Sequence, residues 1–416
     1  MHQKSECLKK EIRELLLKEM DLSRDISDEE MYELIDIQLL KQCKELFLTV
    51  KEKKILRKEL FHSVRKLDVL QQLVDDPDVT EIMINGKDQI FIEKSGKLQK
   101  YEIQFESTEK LEDVIQQIVA KCNRVVNEAS PIVDARLDNG ARVNVVLDPI
   151  ALNGPIVTIR RFPDHPITME QLIKFESISP FLSAYLSCLV QAGYNIFVSG
   201  GTGSGKTTFL NALSDSIPND ERIITVEDNA ELQILHIPNL VRLESRNANV
   251  EGCREITIRD LIRSSLRMRP DRIIVGEVRG SEAIDMIQAM NTGHDGSMST
   301  GHANSSADML SRLETMILMG MDLPLAAIRR QLASGIDIIV QLGRLRDKSR
   351  KILEVCEITG KISKDTGEIE IRPLYVFTET EQKENGKVKG EWRKANELQN
   401  MAKLKAAGIL LPSECV

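Results

Sequence analysis

Residues 200–208 read Gly-Gly-Thr-Gly-Ser-Gly-Lys-Thr-Thr, and Gly200–Thr207 fits G-x-x-x-x-G-K-[ST]. The motif has meaning only between a strand and a helix. Asn195-Ile196-Phe197-Val198-Ser199 is a short apolar run of buried-strand type, and Phe209-Leu210-Asn211-Ala212-Leu213 is good helix material. The chain must therefore build a strand, a tight glycine loop and a helix N-terminus in succession. Gly200, Gly201, Thr202, Gly203, Ser204 and Gly205 then turn backbone N–H groups inward as a cradle for phosphate oxygens. The new helix, entered through Thr207 and Thr208, adds its positive end. Lys206 is placed to reach the β- and γ-phosphates of ATP, and the Thr207 hydroxyl to ligate Mg²⁺. A turn that binds nothing has no need of Lys-Thr at this offset.

From Tyr194 onward strands and helices alternate, which predicts an α/β fold with a parallel sheet. Ligands of such sheets sit at the carboxyl ends of strands. Two more strands end there in acids. Ile223-Ile224-Thr225-Val226 runs into Glu227-Asp228, and Arg272-Ile273-Ile274-Val275 runs through Gly276 into Glu277. Glu227 is expected to face the nucleotide. Glu277 has the Walker B place, where a carboxylate orients or deprotonates the attacking water or holds Mg²⁺ through water. His302, in the glycine-rich stretch 292–304, is read as a hydrogen-bonding sensor of the γ-phosphate, against the alternative of a satisfied structural histidine. His294-Asp295 resembles a metal pair, but no further His or acid at ligand spacing supports it. One lysine leaves the transition state short of positive charge. Arg142, Arg160 and Arg161, outside the ATPase core, are candidates to supply it from another domain or subunit.

The rest of the chain divides by pattern. Residues 1–72 form a helical N-terminal segment, read as a small bundle or as an arm that docks on a partner. Ser27-Asp28-Glu29-Glu30 opens one of its helices as a capping box. Residues 73–163 form an α+β domain with hairpins at Asn85-Gly86 and Asp138-Asn139-Gly140. A Pro-bearing linker, 164–180, contains Pro166, and the ATPase domain covers 181–345. A C-terminal extension, 346–416, contributes a strand or two in Glu368–Phe377, a charged loop at Gln382–Lys394 and a last helix over Ala395–Ala407.

Lys plus Arg number 56 and Asp plus Glu 64, a net charge of −8, and aromatics are 4%. Both weigh against a nucleic-acid partner, which usually meets a basic excess and stacking surfaces. No apolar run approaches a membrane span. The seven cysteines, at 7, 43, 122, 188, 253, 356 and 415, form no C-x-x-C. No zinc ribbon or disulfide framework follows, and the expected compartment is the cytosol.

Glu227-Asp228-Asn229-Ala230-Glu231-Leu232, Leu266–Arg279 and the His302 stretch resemble the Asp box, Walker B and His box of the type II/type IV secretion ATPase superfamily. Residues 131–162 and 290–296 look most like its tight-adherence (Flp) pilus branch, the CpaF/TadA group. The resemblance covers roughly residues 70–345. It implies a smaller N-terminal domain linked to a RecA-like P-loop ATPase domain, with ATP between them, the arginines closing over it, and six copies in a ring. It further implies a motor at the inner face of the cytoplasmic membrane, acting on platform proteins of a pilus or secretion system. A conjugation or nucleic-acid transport ATPase of the RecA-like class is the alternative.

Overall fold

The computed structural model describes residues 2–20, 26–42, 49–94, 96–137, 139–161, 166–246, 254–382 and 386–412. Phe162 and Pro163 at the end of the α+β domain, Asp164 and His165 of the expected linker, Asp138 of the second hairpin turn, and Cys7, Cys43, Cys253 and Cys415 lie outside the described residues or side chains. Two compact units meet in sequence at Asp164 and His165.

The first unit opens with helices α1 (His2–Glu19), α2 (Asp28–Gln42), α3 (Val50–Arg65) and α4 (Val69–Asp75). Ile12, Leu16, Met31, Ile35, Leu60 and Phe61 recur at helical spacing and share one core, so the first three helices pack as a bundle. Ser27 Oγ accepts from the Glu30 amide, capping α2 as expected. Strands β1 (Val79–Asn85), β2 (Ile90–Lys94) and β3 (Lys97–Tyr101) follow, then α5 (Thr108–Lys121), β4 (Ile132–Arg136), β5 (Arg142–Val146) and β6 (Ile156–Arg160). They form an antiparallel sheet in the order β3-β2-β1-β6-β5-β4. Leu111, Val114, Ile115, Ile118 and Val119 place one face of α5 in the core of this sheet.

The second unit begins with α6 (Met169–Lys174) and α7 (Pro180–Gln191), the latter capped by Ser179. Then come β7 (Ile196–Gly200), α8 (Lys206–Ser214), β8 (Ile223–Glu227), β9 (Leu240–Glu244), α9 (Ile258–Ser265), β10 (Arg272–Val275), α10 (Ala283–Asn291) and β11 (Met298–Gly301). After α11 (Ser306–Gly320) and α12 (Leu325–Gly335), the chain runs through β12 (Ile338–Arg344), β13 (Arg350–Ile362), β14 (Ile369–Gln382), β15 (Val388–Lys394) and α13 (Ala402–Ala407). The nine strands make one sheet, β15-β14-β13-β12-β7-β11-β10-β8-β9. It is parallel from β12 to β9 and antiparallel from β12 to β15. Its central strands β7, β11 and β10 are buried throughout because both faces are covered, one by α7 and α8 and the other by α9–α12.

Two local expectations are corrected. Residues 388–394 form a strand, not a charged loop. Val388, Gly390 and Trp392 alternate with charged residues, and Trp392 Nε1 donates to the Ile352 carbonyl at 2.8 Å. The last helix spans only Ala402–Ala407. Buried Glu357 takes the amides of Gln399 and Asn400 at 2.7–3.1 Å, which a helix through 395–401 would use itself. The sheet also runs through residue 345, so 346–416 adds strands to the unit that holds the glycine loop.

Candidate active site

The carboxyl edge of the parallel sheet collects the ends of β7, β8, β10, β11 and β12. The phosphate loop leaves β7 beside Leu342 of β12. Gly203 and Gly205 sit at φ 71° and 91°, in the left-handed region that glycine tolerates. Gly205 is the N-cap of α8, which starts at Lys206. The Ser204 hydroxyl is buried within the loop and has no hydrogen-bond partner. An orphaned hydroxyl in a ring of N–H donors fits a phosphate-binding loop better than a closed structural turn.

Lys206 lies deeper than a ligand at the loop surface would, at 7% exposed. Its Nζ donates to the Gly201 carbonyl at 3.2 Å and lies 3.0 Å from His302 Nδ1. The ammonium can only donate, so Nδ1 accepts and the His302 proton sits on Nε2. That Nε2 is 2.9 Å from Glu277 Oε1, an ion-pair distance without an aligned hydrogen bond. Glu277 Oε2 in turn accepts from Arg279 Nη2 at 2.7 Å, and Arg279 Nη1 stands 3.8 Å from Asp228. Lys206, His302, Glu277 and Arg279 are thus one connected chain behind the loop, two cations and a carboxylate joined through an imidazole.

The electrostatics follow from burial first. Desolvation lowers the Lys206 pKa, with Glu277 opposing and Arg279 adding to the fall. Burial and then the charge of Lys206 lower the His302 pKa, which keeps the ring neutral at neutral pH. Burial works against the Glu277 carboxylate, yet the Arg279 hydrogen bond and the charges of Arg279 and Lys206, with His302 beside it, outweigh it, so its pKa falls. Glu227 is the opposite case. It is 3% exposed, and burial pushes its carboxyl up to about 7, against hydrogen bonds from the Leu232 and Glu231 amides to Oε1. Its Oε2 has no partner. Two carboxylates at neighbouring strand ends are held apart in proton affinity, one kept ionised and one able to take a proton near neutrality.

Glu277, Glu227, Lys206 and His302 therefore come together with Gly200–Thr208. His294 does not. Its Nδ1 lies 3.2 Å from the Ala289 carbonyl at the end of α10, and the length of β11 separates it from His302. Three further residues take part. Gly276 leaves the space that Glu227 fills, since a Cβ there would meet Glu227 Cγ at 2.9 Å. The glycine between an apolar run and an acid was its signal. Arg279, at the end of the Walker B stretch, engages Glu277. Arg350 Nε donates to the Gly203 carbonyl at 2.8 Å, and only the register of β13 could have found it.

Arg142, Arg160 and Arg161 belong to the first unit. Arg136 is opposite Arg142, Arg142 opposite Arg160, and Arg160 opposite Glu81 across β4, β5, β6 and β1. Directly opposed residues share a face, so three arginines stand in a row with one acid at its end. Glu81 Oε1 is 3.7 Å from Arg160 Nε. Arg136 Nε also donates to the Gly140 carbonyl at 3.1 Å. Arg161 is engaged elsewhere: its amide donates to the Thr80 carbonyl at 2.9 Å and its guanidinium to the Asp76 carbonyl.

Residues 64–396 match the family described as Type II/IV secretion system protein. A Mycobacterium tuberculosis protein named for conjugal transfer is 35% identical over 293 residues, spanning 69% of this chain and 83% of its own. The type IV secretion system protein VirB11 of Brucella suis is 33% identical over 303 residues, 66% of this chain and 84% of its own. The solved structure of the ATPase DotB of Yersinia pseudotuberculosis aligns over 70% of this chain and 78% of its own, with a TM-score of 0.51 and 18% identity, a likeness of fold. No helix among the described residues is long and apolar enough to cross a membrane. With the phosphate loop, the two acidic strand ends and His302 assembled on this fold, the chain belongs to the type II/IV secretion system protein family.

Proposed function

We propose that the protein hydrolyses ATP to ADP and phosphate and uses the cycle as a motor for pilus assembly or protein secretion. The observation that carries this reading is the chain Lys206–His302–Glu277–Arg279 beside the phosphate loop. Backbone amides of 201–208 cradle the phosphates, and an incoming γ-phosphate takes Lys206 from His302. His302, released at Nδ1, donates to that phosphate once its proton moves from Nε2 to Nδ1. Glu277, kept ionised by its neighbours, orients or deprotonates the attacking water. Thr207, and Glu277 through water, would hold Mg²⁺, whose charge offsets that of the β- and γ-phosphate oxygens. Glu227 supports the site from β8. Arg142 and Arg160 are the candidates to bring positive charge to the γ-phosphate, from another domain or subunit, and the engagement of Arg161 with Asp76 and Thr80 favours them over it.

The motor works as a ring, expected to hold six copies, in the cytoplasm at the inner face of the membrane, where platform proteins of the tight-adherence (Flp) pilus type receive it. A conjugation ATPase is the second reading, favoured by the name of the M. tuberculosis relative and by the similarity to VirB11. Turnover by the purified protein tests both. Magnesium-dependent ATP hydrolysis that DNA leaves unchanged fits the pilus or secretion motor, and strong stimulation by DNA moves the reading to nucleic-acid transport. No hydrolysis in any assembled state would refute both.

A further inference from the structure

The first three residues of β13 are attached to two different places in the second unit. Arg350 reaches the phosphate loop through the Gly203 carbonyl, and its Cδ lies 3.4 Å from where a Cβ on Gly205 would stand. Lys351 points to the other face of the strand. It is 3% exposed, its Nζ donates to the Glu176 carbonyl at 2.7 Å, and it sits 5.6 Å and 5.9 Å from the ring centres of Phe377 and Trp392. The Ile352 amide donates to the Ser177 carbonyl at 3.0 Å. Glu176 and Ser177 close the turn after α6, through bonds to Ile173 and Leu172. That turn ends the stretch of chain that arrives from the boundary with the first unit. The hairpin before Arg350 is stiff, because Asp347 accepts from the Ser349 amide, the Ser349 hydroxyl and the Val388 amide at 2.6–2.9 Å. Burial opposes its charge, yet these bonds hold its carboxyl down at about 2.

We propose that Arg350 and Lys351 form a lever that carries phosphate entry at the loop to residues 169–178. The inference rests on the nucleotide reading of the loop. Arg350 is a positioning residue: it holds a carbonyl that has a positive-φ glycine at its own residue and another two residues on, so the loop can pivot there. An anionic ligand attracts the exposed guanidinium and reorients that carbonyl, and either change shifts the start of β13. Lys351 follows because a buried ammonium is costly to leave unpaired, and it draws the Glu176 carbonyl with it.

Hydrogen exchange of the intact protein, with and without a non-hydrolysable ATP analogue and Mg²⁺, separates the possibilities. In wild type the analogue should slow exchange in both 200–208 and 169–178. In Arg350→Ala, at saturating analogue, 200–208 should still be protected while the change at 169–178 is lost, and Arg350→Lys should restore part of it. Lys351→Met, which keeps the apolar stem, should speed exchange at 169–178 in both states and erase the nucleotide response. A full wild-type response at 169–178 in Arg350→Ala would overturn the lever, as would protection of 200–208 alone in wild type. No protection of 200–208 in wild type would overturn the nucleotide reading itself, and the lever with it.

Discussion

Replacing Glu227 by Gln should change how stability depends on pH, and the structure sets the size of the effect. The folded carboxyl has its pKa raised from an ordinary 4.5 to about 7 by burial. Below pH 4.5 both folded and unfolded chains hold the proton, and the contribution of this group to stability is complete. Between 4.5 and 7 the unfolded chain ionises first, so stability is lost as pH rises. Above 7 the folded carboxylate ionises too and the loss is complete. A difference of about 2.5 pH units corresponds to about 3 kcal/mol. Gln can still accept the Glu231 and Leu232 amides, but it does not titrate. Its unpaired amide nitrogen adds a constant offset and no slope. Urea unfolding without nucleotide or magnesium, at intervals from pH 4 to 9, should therefore show wild type losing about 3 kcal/mol relative to Glu227→Gln across that window. A difference between the two proteins that stays flat with pH would refute the argument that Glu227 is buried with a proton.

Lys206→Ala should abolish turnover while the protein folds, because the lost ammonium is crowded by Arg279 and its pKa is already lowered by burial; ATPase activity and thermal unfolding measured together check this. Glu277→Gln should keep nucleotide affinity and lower kcat by about 10²–10⁴, the usual worth of a positioned base; turnover near wild type would move the role to Glu227. Gly276→Ala should cost about 1–3 kcal/mol by driving a methyl into Glu227 Cγ, and Glu227→Ala in the same chain should recover most of it. Arg142→Ala and Arg160→Ala should each reduce kcat far more than ADP affinity, with poor rescue by Lys, which lacks the guanidinium fork. Normal turnover in both would leave Arg279 as the source of positive charge.

What could be read from the chain, and what could not, divides by the range of the interaction. Strand, loop and helix around Lys206 are neighbours in sequence, so the phosphate site was legible from nine residues. Glu227, Glu277 and His302 were legible for a second reason: a parallel sheet brings the carboxyl ends of its strands to one edge without any need to know the register. The antiparallel strands beyond β12 obey no such rule. Arg350 reaches Gly203 across 147 residues, and its place depends on how β12 and β13 pair. The shortened last helix has the same origin, since Glu357, a strand residue, takes the amides of Gln399 and Asn400. The arginine row lies between these cases. Arg136 and Arg142 flank one hairpin turn, and the Leu137 amide bonds to the Ala141 carbonyl at 2.9 Å. Once 137 faces 141, residue 136 must face 142, and two arginines oppose each other on one face. That conclusion needed only the turn length. Placing Arg160 beside them needed the fold, because the loop from 147 to 155, although it holds Asp148-Pro149 and Asn153-Gly154, is too long for its turn residues to fix the pairing of β5 with β6. A row of arginines can thus be half written in a hairpin and completed only by a strand whose register the rest of the sheet decides.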